Sequence, residues 1–226
     1  MPLIRASGIC VAVTAVVGLS SYLLPPDWQS TGVGACLLLA TYWLVLRRDA
    51  ATIRHYGLGL GGLFEPVPIE ARRTLAALGV SAYHAALAAI VFFPPFWVGF
   101  VAFWQPVRAF EWHAPPPVDT VLTQLLGIAM PEEMFYRGYA QTAIDDAVRW
   151  RFRLFGASLG PGVLIASVIF ALGHLLTSAH PARLTVFFPS LVFGWLRAKT
   201  RGIGAAVFFH AACNLFSAYL ASGYYG

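Results

Sequence analysis

The stretch MPEEMFYRGY, residues 130–139, places two adjacent glutamates and an arginine within a long apolar run. The run covers residues 118–143, and about 20 apolar residues are enough for one helix to cross the hydrocarbon core of a bilayer. A charged side chain near the bilayer centre costs roughly 2.5 to 3.5 kcal/mol on insertion scales, so such residues commonly face the interior of a helix bundle and mark a functional site. The stretch therefore predicts a membrane-spanning helix that carries a polar site.

The composition of the chain indicates a membrane protein. Of its 226 residues, 58% are hydrophobic and only 11% are charged, and the mean hydropathy is +0.69, which excludes an ordinary soluble domain. We predict an all-α polytopic transmembrane helix bundle that forms a single integral membrane domain over residues 1–226. The seven expected spans are 6–24, 31–46, 74–93, 118–143, 161–179, 182–196 and 202–222.

The third expected span has an alternative length. Pro94 and Pro95 interrupt the apolar run that begins at residue 74. Proline disrupts a helix interior because its ring clashes with a carbonyl of the preceding turn. The region therefore holds either one kinked helix that runs to residue 104 or a helix followed by a re-entrant piece, and an eighth span is a further alternative here.

The basic residues predict the orientation of the chain. Twelve of the 15 lysines and arginines fall in loops on one side of the seven-span arrangement, and the positive-inside rule assigns this side, with the N-terminus, to the cytoplasm. Arg108 and Arg183 fall on the other side, and Arg137 falls within a span. The net charge of +5 is thus explained by topology and by contact with anionic lipid. We expect the bilayer, and not a nucleic acid, as a partner.

The charges of the opening stretch divide into a pair and a single residue. On a helix, Glu133 and Arg137 stand at positions i and i+4 with the acid first, which is the favourable order for an ion pair. Glu132 points about 100° away around the helix, so Arg137 does not readily neutralise it. Pro131 suits the first turn of a helix, and the span is therefore expected to break or restart there. The sequence predicts that Glu132 finds its partners on other helices.

Two other spans supply polar side chains at a comparable depth. His174 lies in FALGH, and His210 and Asn214 lie at i and i+4 in HAACN. Counted at 1.5 Å per residue from the ends with the basic loops, these residues and Glu132 are roughly 12 to 20 Å deep. We expect all four to meet in one layer, in the cytoplasmic half of the bilayer.

The chemistry of such a cluster is that of amide hydrolysis. A carboxylate and a histidine can take a proton from water and later deliver it to a leaving amine. A second histidine and an asparagine can donate hydrogen bonds to a developing oxyanion. The alternative is metal-assisted hydrolysis, in which Glu132, His174 and His210 would hold a zinc ion and leave a position for water. No H-E-x-x-H sequence favours this alternative, and we predict no cofactor, with zinc as the alternative.

The three motifs EEMFYR, FALGH and HAACN resemble those of the CPBP family, also called the Abi or CAAX-protease family, which includes Rce1-type endopeptidases. The resemblance extends over residues 132–214 and places a catalytic core at about 118–222. It implies that Glu132 and His174 activate water, that His210 and Asn214 form an oxyanion hole, and that Glu133 and Arg137 support the site. It also implies a glutamic-type protease without a metal.

The resemblance implies an integral protein of the bacterial inner membrane with a membrane-associated protein or peptide as substrate. The scissile bond would lie near the C-terminus of a lipidated or hydrophobic segment. Two other functions stay open as alternatives. One is a proton-coupled transporter, because Glu and His also build proton relays in membranes. The other is a non-catalytic immunity or scaffold protein. The sequence predicts no oligomeric state.

Overall fold

A computed structural model describes residues 2–226 of the chain, so Met1, the first residue of the predicted domain, lies outside the described part. Eight helices follow one another along the chain, and a short hairpin of two strands lies between the fifth and the sixth helix. Their bounds are α1 Leu3–Leu23, α2 Pro26–Leu46, α3 Ala50–His55, α4 Ala71–Trp104, α5 118–148, β1 Phe152–Leu154, β2 Ala157–Leu159, α6 Pro161–Thr177, α7 Phe187–Thr200 and α8 Gly204–Tyr225. Short 3₁₀ turns lie at Leu60–Gly62 and Pro181–Val186.

The all-α prediction is confirmed, and each of the seven expected spans coincides with a helix. Among the described residues, four helices are long and apolar enough to cross a membrane: α1, α2, α4 and α8. Helix α6 is apolar but has only 17 residues. The chain is therefore an integral membrane protein by its helices, whereas the count of seven spans and the orientation stay predictions.

Helix α4 decides between the two expectations for residues 74–104. It is one helix of 34 residues that contains both Pro94 and Pro95. After it, residues 105–117 form no regular element and pack through Phe110 and Trp112 against Trp97, with ring centroids 4.9 and 5.9 Å apart. The described residues thus form one helix in this region, and the choice between seven and eight spans stays a prediction.

Helix α5 carries the stretch from which the sequence analysis began, and it runs without a break. Two segments with π-helical hydrogen bonding, Thr123–Ala129 and Met134–Gln141, flank a short α-helical segment, Met130–Glu133. The expected break at Pro131 is wrong. In the wider π turn that precedes Pro131, hydrogen bonds span five residues instead of four, so the helix accommodates a residue that lacks an N–H.

The centre of α5 is enclosed by α1, α2 and α6. Residues 131–144 are buried without exception, and small residues allow the neighbouring helices to approach them. A Cβ atom at Gly34 of α2 would lie 2.8 Å from the carbonyl oxygen of Gly127, and one at Gly173 of α6 would lie 3.3 Å from the Tyr136 hydroxyl. The polar stretch is therefore held at the centre of the bundle.

The helix ends that carry most of the basic residues meet on one face of the bundle. We call this the basic face; it contains Arg5, Arg47, Arg48, Arg54, Arg72, Arg73, Arg149, Arg151, Arg153, Arg197, Lys199 and Arg201. Its segments are in direct contact: the Arg197 guanidinium donates to the carbonyl oxygen of His55 at 3.0 Å, and the Lys199 ammonium donates to that of Phe155 at 3.0 Å. At the other face, the Tyr225 hydroxyl donates to the carbonyl oxygen of Trp104 at 3.1 Å.

Candidate active site

The predicted ion pair lies at the centre of the bundle. The Nε of Arg137 donates to Oε2 of Glu133 at 3.1 Å, and both side chains are 0% exposed. The other two guanidinium nitrogens donate to the hydroxyl oxygens of Ser167 at 3.3 Å and Ser190 at 2.6 Å. The i,i+4 prediction is confirmed, and Arg137 ties α5 to α6 and α7.

Two aromatic rings complete the surroundings of Arg137. Its guanidinium carbon lies 5.3 Å from the centroid of Phe170 and 5.9 Å from that of Phe193, within the range of a cation–π interaction. Sequence reasoning missed Ser167, Ser190 and Phe193, because single serines and phenylalanines are ordinary in apolar helices. Only the fold shows that they contact a buried charge.

His210 lies between the two glutamates of α5. Its Nδ1 is 3.0 Å from Oε1 of Glu133, and because this carboxylate accepts hydrogen bonds, Nδ1 carries the hydrogen. Its Nε2 is 3.7 Å from Oε2 of Glu132. The ring stacks on Phe193 with the centroids 4.7 Å apart. His210 therefore links the buried ion pair to the carboxylate that the sequence left without a local partner.

Glu132 is the buried carboxylate with an unused oxygen. Its Oε2 has no hydrogen-bond partner among the described residues, and its side chain is 11% exposed. Burying a charged oxygen without a partner is costly, so a partner outside the chain, such as water or a substrate, is expected at this atom. Arg137 does not bond to Glu132, as the helical geometry predicted.

His174 has one ring nitrogen that is bonded to the backbone and one that is not. Its Nδ1 is 3.1 Å from the carbonyl oxygen of Phe170, and since a carbonyl only accepts, Nδ1 carries the hydrogen. In the neutral ring, Nε2 then has a lone pair that can accept a proton. The Phe170 ring packs against His174, with the centroids 4.4 Å apart, and so fixes the orientation of the imidazole.

Asn214 is held by a residue that sequence reasoning missed. Its Nδ2 donates to Oε1 of Gln124 at 3.0 Å, which leaves the second amide hydrogen of Asn214 free. Gln124 stands two turns before Glu132, and the signal for it was present: it is a lone amide in the apolar run TVLTQLLGIA.

A cavity of about 570 Å³ brings these side chains together. Glu132, His174, Asn214, Gln124 and Tyr136 all line it, and its volume is typical of a small-molecule or peptide site. His210 is not among the described residues that line this cavity; its ring is stacked on Phe193 and directs its Nδ1 to Glu133. Three of the four predicted catalytic residues thus line the same cavity, and the predicted oxyanion role of His210 stays a prediction.

The proposed zinc ligands do not form a metal site. Among residues 2–226, no group of three His, Cys, Asp or Glu side chains is placed to hold one ion. Glu132 and His210 are neighbours, but His210 already directs its Nδ1 to Glu133. The residues present do not fit a three-ligand zinc centre in this arrangement.

The cavity extends toward the helix ends that lie opposite the basic face. His174 is three residues before the end of α6, and that end lies opposite the basic face. Ser21, Gln29 and Thr177, which also line the cavity, belong to helix ends on the same side. His174 lies as many residues after Pro161, the basic end of α6, as expected, and the location of the site in the cytoplasmic half of the bilayer stays a prediction.

A family model described as type II CAAX prenyl endopeptidase Rce1-like matches residues 114–216 of the chain. Comparison with curated proteins and with solved structures gave no match. The matched range contains all three motifs and Glu132, Glu133, Arg137, His174, His210 and Asn214. The segment that carries the three motifs is therefore similar to the Rce1-like family of type II CAAX prenyl endopeptidases, in agreement with the resemblance seen in the sequence.

Proposed function

We propose that the chain is a glutamic-type intramembrane endopeptidase that hydrolyses a peptide bond in the cavity between α2, α5, α6 and α8. The observation that carries the proposal is that Glu132, His174 and Asn214 line the same cavity. The unpartnered oxygen of Glu132 and the free Nε2 of His174 provide two proton acceptors. The match to the Rce1-like family supports the same reaction class.

In the first step, a water molecule in the cavity loses a proton to Glu132 and attacks the scissile carbonyl carbon. His174 holds this water through its Nε2, because its Nδ1 is engaged by the backbone. A positioned general base of this kind contributes typically about 10² to 10⁴ in rate. The new C–O bond converts the carbonyl oxygen into an oxyanion.

In the second step, the oxyanion accepts a hydrogen bond from the free N–H of Asn214, whose amide is oriented by Gln124. His210 is the second donor proposed for this charge; since its Nδ1 hydrogen goes to Glu133, it donates through Nε2 in its imidazolium form. The C–N bond then breaks, and the proton held by Glu132 passes to the leaving amine. The products are a carboxylic acid and an amine, and Glu132 returns to its starting state.

Glu133 and Arg137 position other groups and take no part in the proton transfers. Their ion pair holds His210 against Glu132 and joins α5 to the serines of α6 and α7. The proposed substrate is a lipidated or hydrophobic protein segment cleaved near its C-terminus, in keeping with the description of the matched family. We propose a mechanism without a metal cofactor.

The experiment is cleavage of candidate membrane peptides by the purified chain in detergent or proteoliposomes. Glu132→Gln should abolish cleavage, because the amide cannot accept the proton of water. Glu70→Gln is the matched control, since it makes the same chemical change at an exposed position. Cleavage by Glu132→Gln at the wild-type rate would refute the assignment.

A chelator arm tests the metal-free mechanism. We expect the wild-type rate to be the same with and without a strong zinc chelator. Loss of cleavage with the chelator and recovery on addition of zinc would replace the glutamic mechanism by the metal-assisted alternative.

A further inference from the structure

The exposed part of the cavity lining comes from helix ends that lie on the same side of the bundle, opposite the basic face. Ser30 lies near the start of α2, and Ala218 and Ala221 lie in the last two turns of α8. Arg183 lies in the 3₁₀ turn after α6. All four are exposed and line the cavity. They form what we call the rim.

The closed end of the cavity lies deeper in the bundle. Glu132, Tyr136 and Gly173 line it there, and all three are buried. The cavity therefore runs from the rim inward to Glu132, and a substrate must pass the rim to reach the proposed catalytic carboxylate.

The rim and the basic face lie at opposite ends of the same helices. Helix α2 starts at the rim and ends beside Arg47 and Arg48 on the basic face; α8 starts beside Arg201 and ends at the rim. Contacts confirm that the basic ends lie together, as in the hydrogen bond of 3.0 Å from the N–H of Ile203 to the carbonyl oxygen of Gly57.

The charges of the two ends differ strongly. Twelve of the 15 lysines and arginines lie on the basic face, and a bias of this size in short loops assigns that face to the cytoplasm. The rim has Arg183 as the one lysine or arginine among the described residues that line the cavity, beside neutral Gln29, Ser30, Thr177 and Ser217. By the positive-inside rule, the rim then faces away from the cytoplasm.

We propose that the cavity admits its substrate from the non-cytoplasmic side of the membrane. The substrates would be exported peptides, or the outward ends of membrane-anchored proteins, whose scissile bond enters past Ser30 and Arg183. A tail located in the cytoplasm would have no direct route to Glu132. The identity of the substrate rests on the proposed function, whereas the side on which the cavity opens does not.

Cysteine labelling tests the side of entry. Ser30→Cys places a thiol on the rim, and Ser158→Cys, at an exposed position of β2 on the basic face, is its matched control. Intact cells that produce each variant are treated with a membrane-impermeant maleimide before and after permeabilisation. The wild-type chain, whose Cys10, Cys36 and Cys213 are buried or half-buried, gives the background.

We expect Ser30→Cys to react in intact cells and Ser158→Cys to react only after permeabilisation. Reaction of Ser158→Cys in intact cells, with or without reaction of Ser30→Cys, would overturn the proposal. So would reaction of Ser30→Cys only after permeabilisation. Arg183→Cys is the second rim probe: if neither rim variant reacts under any condition, the cavity does not open at the rim.

The same labelling in a Glu132→Gln background separates this inference from the proposed function. The pattern should be unchanged, because accessibility does not require catalysis. A second arm uses one cleavable segment fused to either the outer or the inner end of an anchoring helix. Cleavage of the outer fusion alone is expected. Cleavage of the inner fusion would contradict the route of entry, whereas cleavage of neither, with the labelling pattern as expected, would count against the protease and not against the orientation.

Discussion

At the scale of single residues, the site separates charge neutralisation from chemistry. Arg137 satisfies Glu133 and is itself surrounded by two hydroxyls and two aromatic rings. Glu132, the next residue along the chain, keeps one oxygen without a partner. The two adjacent residues therefore have different surroundings although both are glutamates.

Removing one member of the buried ion pair should lower the free energy of unfolding. Arg137→Leu leaves the Glu133 carboxylate buried without its cation, and breaking a buried pair typically lowers the free energy of unfolding by about 3 to 5 kcal/mol. The double variant Glu133→Gln/Arg137→Leu should lose less than the sum of the two single losses, because neither charge is then left alone. Unfolding in detergent measures the three values. Strictly additive losses would show that the pair does not interact, and Arg72→Leu, at an exposed position, serves as the control.

Asn214 should contribute to turnover and not to binding. Asn214→Asp keeps the shape of the side chain but removes the amide donor, and loss of one oxyanion donor typically lowers kcat by about 10² to 10³. Steady-state kinetics should show this loss in kcat with KM nearly unchanged. Gln124→Ala, which frees the Asn214 amide to rotate, should reduce kcat by a smaller factor. A rise in KM with unchanged kcat would instead assign Asn214 to substrate binding.

At the scale of helices, close contacts with neighbouring helices and the π segments determine the course of α5. Pro131 lacks the N–H that the preceding turn would use, and the wide turn before it removes the need for a break. The approach of α2 at Gly34 leaves no room for a side chain. Helix α5 is thus fixed at the level where Glu132 faces the cavity.

A methyl group at Gly34 should disturb this contact. In Gly34→Ala the new Cβ would lie 2.8 Å from the carbonyl oxygen of Gly127, and overpacking of this kind costs typically about 1 to 3 kcal/mol. Gly8→Ala in α1 is the matched control, since no atom lies within 4 Å of its Cβ position and alanine favours a helix interior by roughly 1 kcal/mol over glycine. Thermal unfolding in detergent should show a lower Tm for Gly34→Ala only. Equal Tm values for the two variants would contradict the close packing of α2 on α5.

At the scale of the whole molecule, the features that depend on local sequence pattern could be predicted. Apolar length located the helices, and the i,i+4 spacing predicted the Glu133–Arg137 pair. The π segments of α5, the hydrogen bond of His210 to Glu133 and the contact of Gln124 with Asn214 depend on the packing of distant segments, for which one sequence has no periodic signal. The end of α6 three residues after His174, which brings the cavity to the helix ends opposite the basic face, also depends on packing that the local pattern does not encode.

The central claim is that Glu132 and His174 act together on one water molecule. The most direct measurement is the cleavage rate of wild type, Glu132→Gln, His174→Gln and the double variant on one membrane peptide under single-turnover conditions. Groups that act as a unit are strongly non-additive, so the double variant should be no slower than the slower single variant. Losses that multiply in the double variant, or a wild-type rate in Glu132→Gln, would contradict the account.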